Sequence, residues 1–165
     1  MADALGRDDI LSGLRELVGE LHAAGETAGI RLVGGAALAI RNFDRRTTGD
    51  LDSLHVQPGS DDAVLAAASP VEWETIYDRA GVVIQVASKE ALLAMKLRAN
   101  RPGRDVDDIR QLLALCGIAE VEEAEELYGD FYPGDGLTDR AVAMVQRILD
   151  GGLPMRVPSP GAIVI

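Results

Sequence analysis

Apolar residues first recur at helical spacing over residues 8–24, where Ile10, Leu11, Leu14, Leu17, Val18 and Leu21 form one stripe and Gly25 supplies a stop. Residues 30–33 read as a short buried strand, and residues 36–41 as a brief Ala/Leu helix. A polar loop over 45–49 leads to a strand over 50–56, which Pro58-Gly59 ends, and Ser60 is placed to cap a helix over 61–68. Residues 72–78 and 82–86 flank Arg79-Ala80-Gly81 and predict a hairpin. Ser88 stands at the N-cap of a helix over 89–99, followed by a polar break at 100–104. Helices are predicted over 105–115, 119–128 and 138–150, after which Pro154, Pro158 and Pro160 make residues 151–165 an extended, loose tail. This order predicts an α/β (α+β) fold, a sheet layer with a helical C-terminal half. No linker composition divides residues 1–150, which are expected to form a single domain.

The charge changes the picture more than the size does. A net charge of −11 argues against a general nucleic-acid-binding surface, while leaving room for a local basic pocket. With 47% hydrophobic and 4% aromatic residues, the core must come from Leu, Ile, Val and Ala. The single Cys116 lies in an apolar helical run and reads as a buried small residue. Without a cysteine pair, a signal peptide or an apolar run long enough to cross a bilayer, the expected location is the cytoplasm, with no membrane. His22 and His55 stand far apart, which disfavours a histidine zinc site or a Ser-His-Asp triad.

Candidate chemistry concentrates in two stretches. In the first, Val33-Gly34-Gly35 joins a strand to a helix, where glycines let backbone N–H groups approach a phosphate. Asp50 and Asp52 then sit two apart in a strand and share one face. Side by side they repel unless a hard cation such as Mg²⁺ lies between them. The plainer alternative is that Asp50 ends the loop and Asp52 is a solvated strand residue. Arg46 and Thr48 either contact phosphate or ribose or belong to a solvated loop, with Thr48 capping locally.

In the second stretch Lys96 lies within an apolar helix, where it either snorkels to solvent or enters a pocket as a phosphate ligand. Asp105 and Asp108, three apart, share one helical face. Asp105 is open to two readings, a helix cap or a site residue, whereas Asp107 reads as a solvated first-turn residue.

Taken in order, Gly34-Gly35, Arg46-x-Thr48-x-Asp50-Leu51-Asp52, Leu92 through Leu97 and Arg104-Asp105-x-x-Asp108-Ile109 resemble the minimal nucleotidyltransferases of the AbiEii-like group. These belong to the DNA polymerase β-like nucleotidyltransferase superfamily, several of whose members are toxins of toxin–antitoxin systems. The resemblance spans residues 8–116. It implies a mixed β-sheet flanked by helices, Mg²⁺ as cofactor, and transfer of an NMP from an NTP to a hydroxyl of an RNA (tRNA) or a protein, with a cognate antitoxin as partner.

Carried over by position, Asp50 and Asp52 would bind metal and Gly34 and Gly35 would hold the triphosphate, with Arg46 and Thr48 beside the nucleotide. Lys96 would contact phosphate, and Asp105 or Asp108 would complete the catalytic or nucleotide site. Two positions depart from the family pattern: Gly35 stands where many relatives have serine, and Gln85 stands where a later strand often supplies a third carboxylate. The alternative is a degenerate fold that binds nucleotide, or a regulatory protein-interaction module, without catalysis. A purely structural helical protein would leave the placement of the paired carboxylates unexplained.

Overall fold

The computed structural model describes residues 5–42, 53–56, 72–157 and 161–165, with backbone alone at 41–42 and 53–56. Arg46, Thr48, Asp50, Asp52 and the helix expected over 61–68 therefore lie outside the described residues. The chain is a mixed α/β protein made of two compact units, Met1–Ser88 with Pro158–Ile165, and Lys89–Val157.

In the first unit, α1 (Arg7–Ala24) turns Ile10, Leu11, Leu14 and Val18 inward, while Leu17 on the expected stripe is exposed. The Asp9 carboxylate accepts the Gly6 N–H at 2.9 Å at its start, and Gly25, at φ 68°, ends it in the left-handed conformation. Four strands follow the order β2-β1-β4-β3: β1 (Ala28–Leu32), β2 (Ser53–Val56), β3 (Trp73–Arg79) and β4 (Val82–Ala87). β1 runs antiparallel to β2 and parallel to β4, so the sheet is mixed. The hairpin β3–β4 turns through Ala80 and Gly81, both at positive φ (50° and 80°), the geometry of a tight two-residue connection.

Alternation sorts the two faces of the sheet. Ile30, Leu32, Val82, Ile84 and Val86 are buried, and the opposite face carries the half-buried Arg31, Val83 and Gln85. Beyond β1 the chain enters α2 (Gly34–Ala37), which widens into a π turn over Leu38–Asn42. Ala36 through Ile40 are at most 1% exposed, so this short segment is core rather than surface. The end of the expected loose tail is tied down: Arg7 Nη2 donates to the Gly161 and Ala162 carbonyls (2.6 and 3.1 Å), and Arg15 Nη2 to Val164 O (2.8 Å).

The second unit contains α3 (Lys89–Ala99), α4 (Val106–Cys116), α5 (Val121–Phe131) and α6 (Asp139–Asp150). α3 packs on α4 and α5, and both of these pack on α6. Leu92, Leu93, Leu97, Ile109, Leu112, Leu113 and Val145 fill its interior. α3 buries Ala91, Leu92, Leu93, Ala94, Lys96 and Leu97, a band too broad for an ordinary surface helix. Thr138 Oγ1 accepts the Ala141 N–H at 3.2 Å and caps α6. No helix among the described residues is long and apolar enough to cross a membrane.

Candidate functional site

The glycine pair sits where the sequence puts it, at the exit of the central strand β1. Gly34 has φ 61° directly after the extended Val33, a conformation that side chains other than glycine's adopt rarely. Gly35 follows it, buried, inside the short helix. The β1–β2 register pairs Leu32 with Ser53. Ser53 directly follows Asp52 in the sequence, and Leu32 lies two residues before Gly34.

The open sheet face next to this corner carries a polar ladder. Arg31 lies between Leu54 on β2 and Gln85 on β4, and Gln85 pairs in turn with Thr75 on β3. Arg31 Nε donates to Gln85 Oε1 at 3.1 Å, and Gln85 Nε2 donates to Thr75 Oγ1 at 3.2 Å. The guanidinium stacks 4.7 Å from the centre of the Trp73 ring. Two donors on this face, Arg31 Nη1 and Trp73 Nε1, are buried and have no hydrogen-bond partner among the described residues. A buried donor without an acceptor is costly, so these two mark a place suited to an acceptor-rich group. Gln85, at the position where a third carboxylate would be expected, is the middle member of this ladder. Sequence reading passed over Arg31 and Trp73; the signal for Arg31 is a lone cation in the apolar run Ala28–Leu32.

In the second unit Lys96, Asp105 and Asp108 do come together, as an internal ion cluster. Lys96 is 6% exposed, and its ammonium lies 2.8 Å from Asp105 Oδ1 and 2.9 Å from Asp108 Oδ2. It neither snorkels to solvent nor presents a free charge to a phosphate. Asp105 stands at the N-cap of α4, yet its carboxylate does not cap that helix. Instead Oδ2 accepts the Arg101 N–H at 3.0 Å and Arg101 Nε at 3.1 Å. Burial pushes the Asp105 carboxyl up, but the bonds from Arg101 and Lys96 outweigh it and hold its pKa down, at about 2. Asp107 is the solvated first-turn residue, 3.8 Å from Arg110. The space between Asp105 and Asp108 is filled by the lysine charge, which leaves no room there for a metal.

Among the described residues no group of three His, Cys, Asp or Glu side chains could hold a metal ion. The expected ligands Asp50 and Asp52, with Arg46 and Thr48, lie outside those residues. Cys116 is half-buried rather than fully buried; burial, with Glu90 nearby, pushes its thiol up to about 12. His22 meets the Arg79 carbonyl at 3.2 Å on the surface of the first unit. Compared with known proteins, the chain matches no family model and no curated sequence.

Proposed function

We propose that the chain is a Mg²⁺-dependent nucleotidyltransferase that moves an NMP from an NTP to a hydroxyl of an RNA (tRNA) or a protein, as the AbiEii-like enzymes it resembles do. In this reading it acts as a cytoplasmic toxin held in check by an antitoxin. The observation that supports the reading is the Leu32–Ser53 register: Ser53, the residue after Asp52 in the sequence, stands across from Leu32, two residues before the left-handed Gly34. Leu54, two residues after Asp52 in the sequence, pairs across the sheet with Arg31. Two like charges in one strand register favour a hard divalent cation.

Bound by Asp50 and Asp52, Mg²⁺ supplies neutralisation of charge on the triphosphate. The backbone at Gly34-Gly35 holds phosphate oxygens, and Arg46 and Thr48 donate to phosphate or ribose. Arg31, with a buried nitrogen lacking an acceptor among the described residues, adds a fixed positive charge to the site. The acceptor hydroxyl attacks the α-phosphorus in line, losing its proton as the new P–O bond forms. The bond to the β-phosphate oxygen breaks and pyrophosphate leaves with its electron pair. Lys96, Asp105 and Asp108 fix the α3–α4 pair in this reading and take no direct part in the transfer.

Gln85 favours a second reading, nucleotide binding without transfer, because an amide tied to Arg31 and Thr75 replaces a carboxylate. Incubating the protein with Mg²⁺, each labelled NTP and cellular RNA or protein separates the two. The transferase reading expects label on an acceptor with the wild type and none with Asp52→Ala. Equal labelling by both removes Asp52 from the mechanism, and NTP binding without labelling in any acceptor screen favours the second reading.

A further inference from the structure

The helical unit contains a hollow of about 260 Å³ between the start of α4 and the length of α6. Its rim carries Arg110, Arg140 and Arg147, and its floor is Val106, Met144 and Ile148. In a chain of 27 acidic against 16 basic residues, no acidic side chain lines this hollow. Three cations around one apolar floor repel one another unless an anion comes between them.

The donors are also unfilled. Arg110 Nε is buried and has no hydrogen-bond partner among the described residues, and its terminal nitrogen reaches Asp107 only at 3.8 Å. Arg147 engages Nε with the Ala143 carbonyl at 3.2 Å, which leaves its two terminal nitrogens to the hollow. Arg140 is exposed and makes no hydrogen bond or ion pair among the described residues.

We infer that this hollow is an anion site for a phosphate group carried on a small apolar or planar body. Guanidinium forks match phosphate oxygens in pairs, and the Met144–Ile148 floor accepts a ring face. The volume suits a phosphate monoester of mononucleotide size or smaller. The inference does not rest on the transferase reading.

The test titrates the full ¹⁵N-labelled chain, in EDTA to exclude metal-dependent binding, with inorganic phosphate, AMP, adenosine and citrate in turn. AMP is expected to shift amides over 102–110 and 140–148, with phosphate weaker and adenosine and citrate inactive. Arg140→Gln with Arg147→Gln, both at exposed positions, is expected to weaken AMP about tenfold or more while leaving the circular dichroism unchanged. Asp50→Asn with Asp52→Asn is expected to leave AMP binding here unaltered. No shift in these segments, an equal response to adenosine or citrate, or full affinity in the arginine variant overturns the inference. Failure here with intact Mg²⁺-dependent NTP binding elsewhere leaves the transferase reading standing.

Discussion

Replacing Lys96 by Met removes a cation that both buried carboxylates contact. Methionine keeps nearly the same length, so the change tests charge rather than volume. Asp105 is fully buried and Asp108 is 5% exposed, and in the variant Asp105 keeps Arg101. Breaking one side of a buried ion pair costs about 3–5 kcal/mol, because the remaining charge is left in a poorly solvated place. Asp105→Asn is the milder lesion, since Lys96 keeps Asp108 at 2.9 Å. A carboxyl held at about 2 instead of its ordinary 3.8 corresponds to roughly 2.5 kcal/mol, the expected order of loss for Asp105→Asn at neutral pH. Urea unfolding followed by circular dichroism at 222 nm reads both. Restoring neutrality with Asp108→Asn beside Lys96→Met, which leaves the Asp105–Arg101 pair, is expected to recover part of the loss. A Lys96→Met deficit below about 1 kcal/mol refutes the idea that this cluster holds α3 on α4.

Three smaller outcomes follow from the same geometry. Because the Asp105 carboxyl is lowered on folding, its stabilisation is present above pH 3.8 and drains away as pH falls toward about 2; an acid titration of wild type against Asp105→Asn is expected to show that step only in the wild type. With its thiol pushed up to about 12, Cys116 is expected to resist iodoacetamide near pH 8 in the native chain and to react readily in denaturant. In Gly81→Ala a Cβ would lie 2.6 Å from Thr27 Cγ2 at a residue with φ 80°, so a loss of about 1–3 kcal/mol in thermal or urea unfolding is expected; adding Thr27→Ser should return only the part due to the clash.

Elements with strong periodicity were legible from the residues, and those decided by partners were not. Residues 89–99 formed the helix the pattern gave, and the 72–86 hairpin turned at Ala80-Gly81 as its composition required. β1 begins at Ala28 rather than residue 30, because parallel pairing with β4 recruits Ala28 and Gly29, which local propensity leaves to a loop. The helix expected over 36–41 instead begins at Gly34 and widens into a π turn, and the burial of Gly35 through Ile40 shows packing overriding the cost of glycine. α5 starts at Val121, after the Ala119 and Glu120 N–H groups are taken by the Glu123 carboxylate. The boundary between the two units carries no linker composition, since β4 runs almost directly into α3.

At the candidate site, the three-residue spacing of Asp105 and Asp108 announced a shared face. That Lys96 fills the space between them depends on how α3 meets α4, which no local pattern encodes. Arg31 was visible as an isolated cation in a strand; its partners Gln85 and Trp73 lie more than forty residues away and emerge only with the sheet register.

In the proposed mechanism Asp50 and Asp52 bind a nucleoside triphosphate through Mg²⁺. Calorimetric titration of the full chain with each NTP, with and without Mg²⁺, tests it most directly when repeated on Asp50→Asn with Asp52→Asn. The account predicts saturable binding that requires Mg²⁺ and disappears in the double variant. Binding that persists unchanged in that variant, or no NTP binding by the wild type at all, contradicts it.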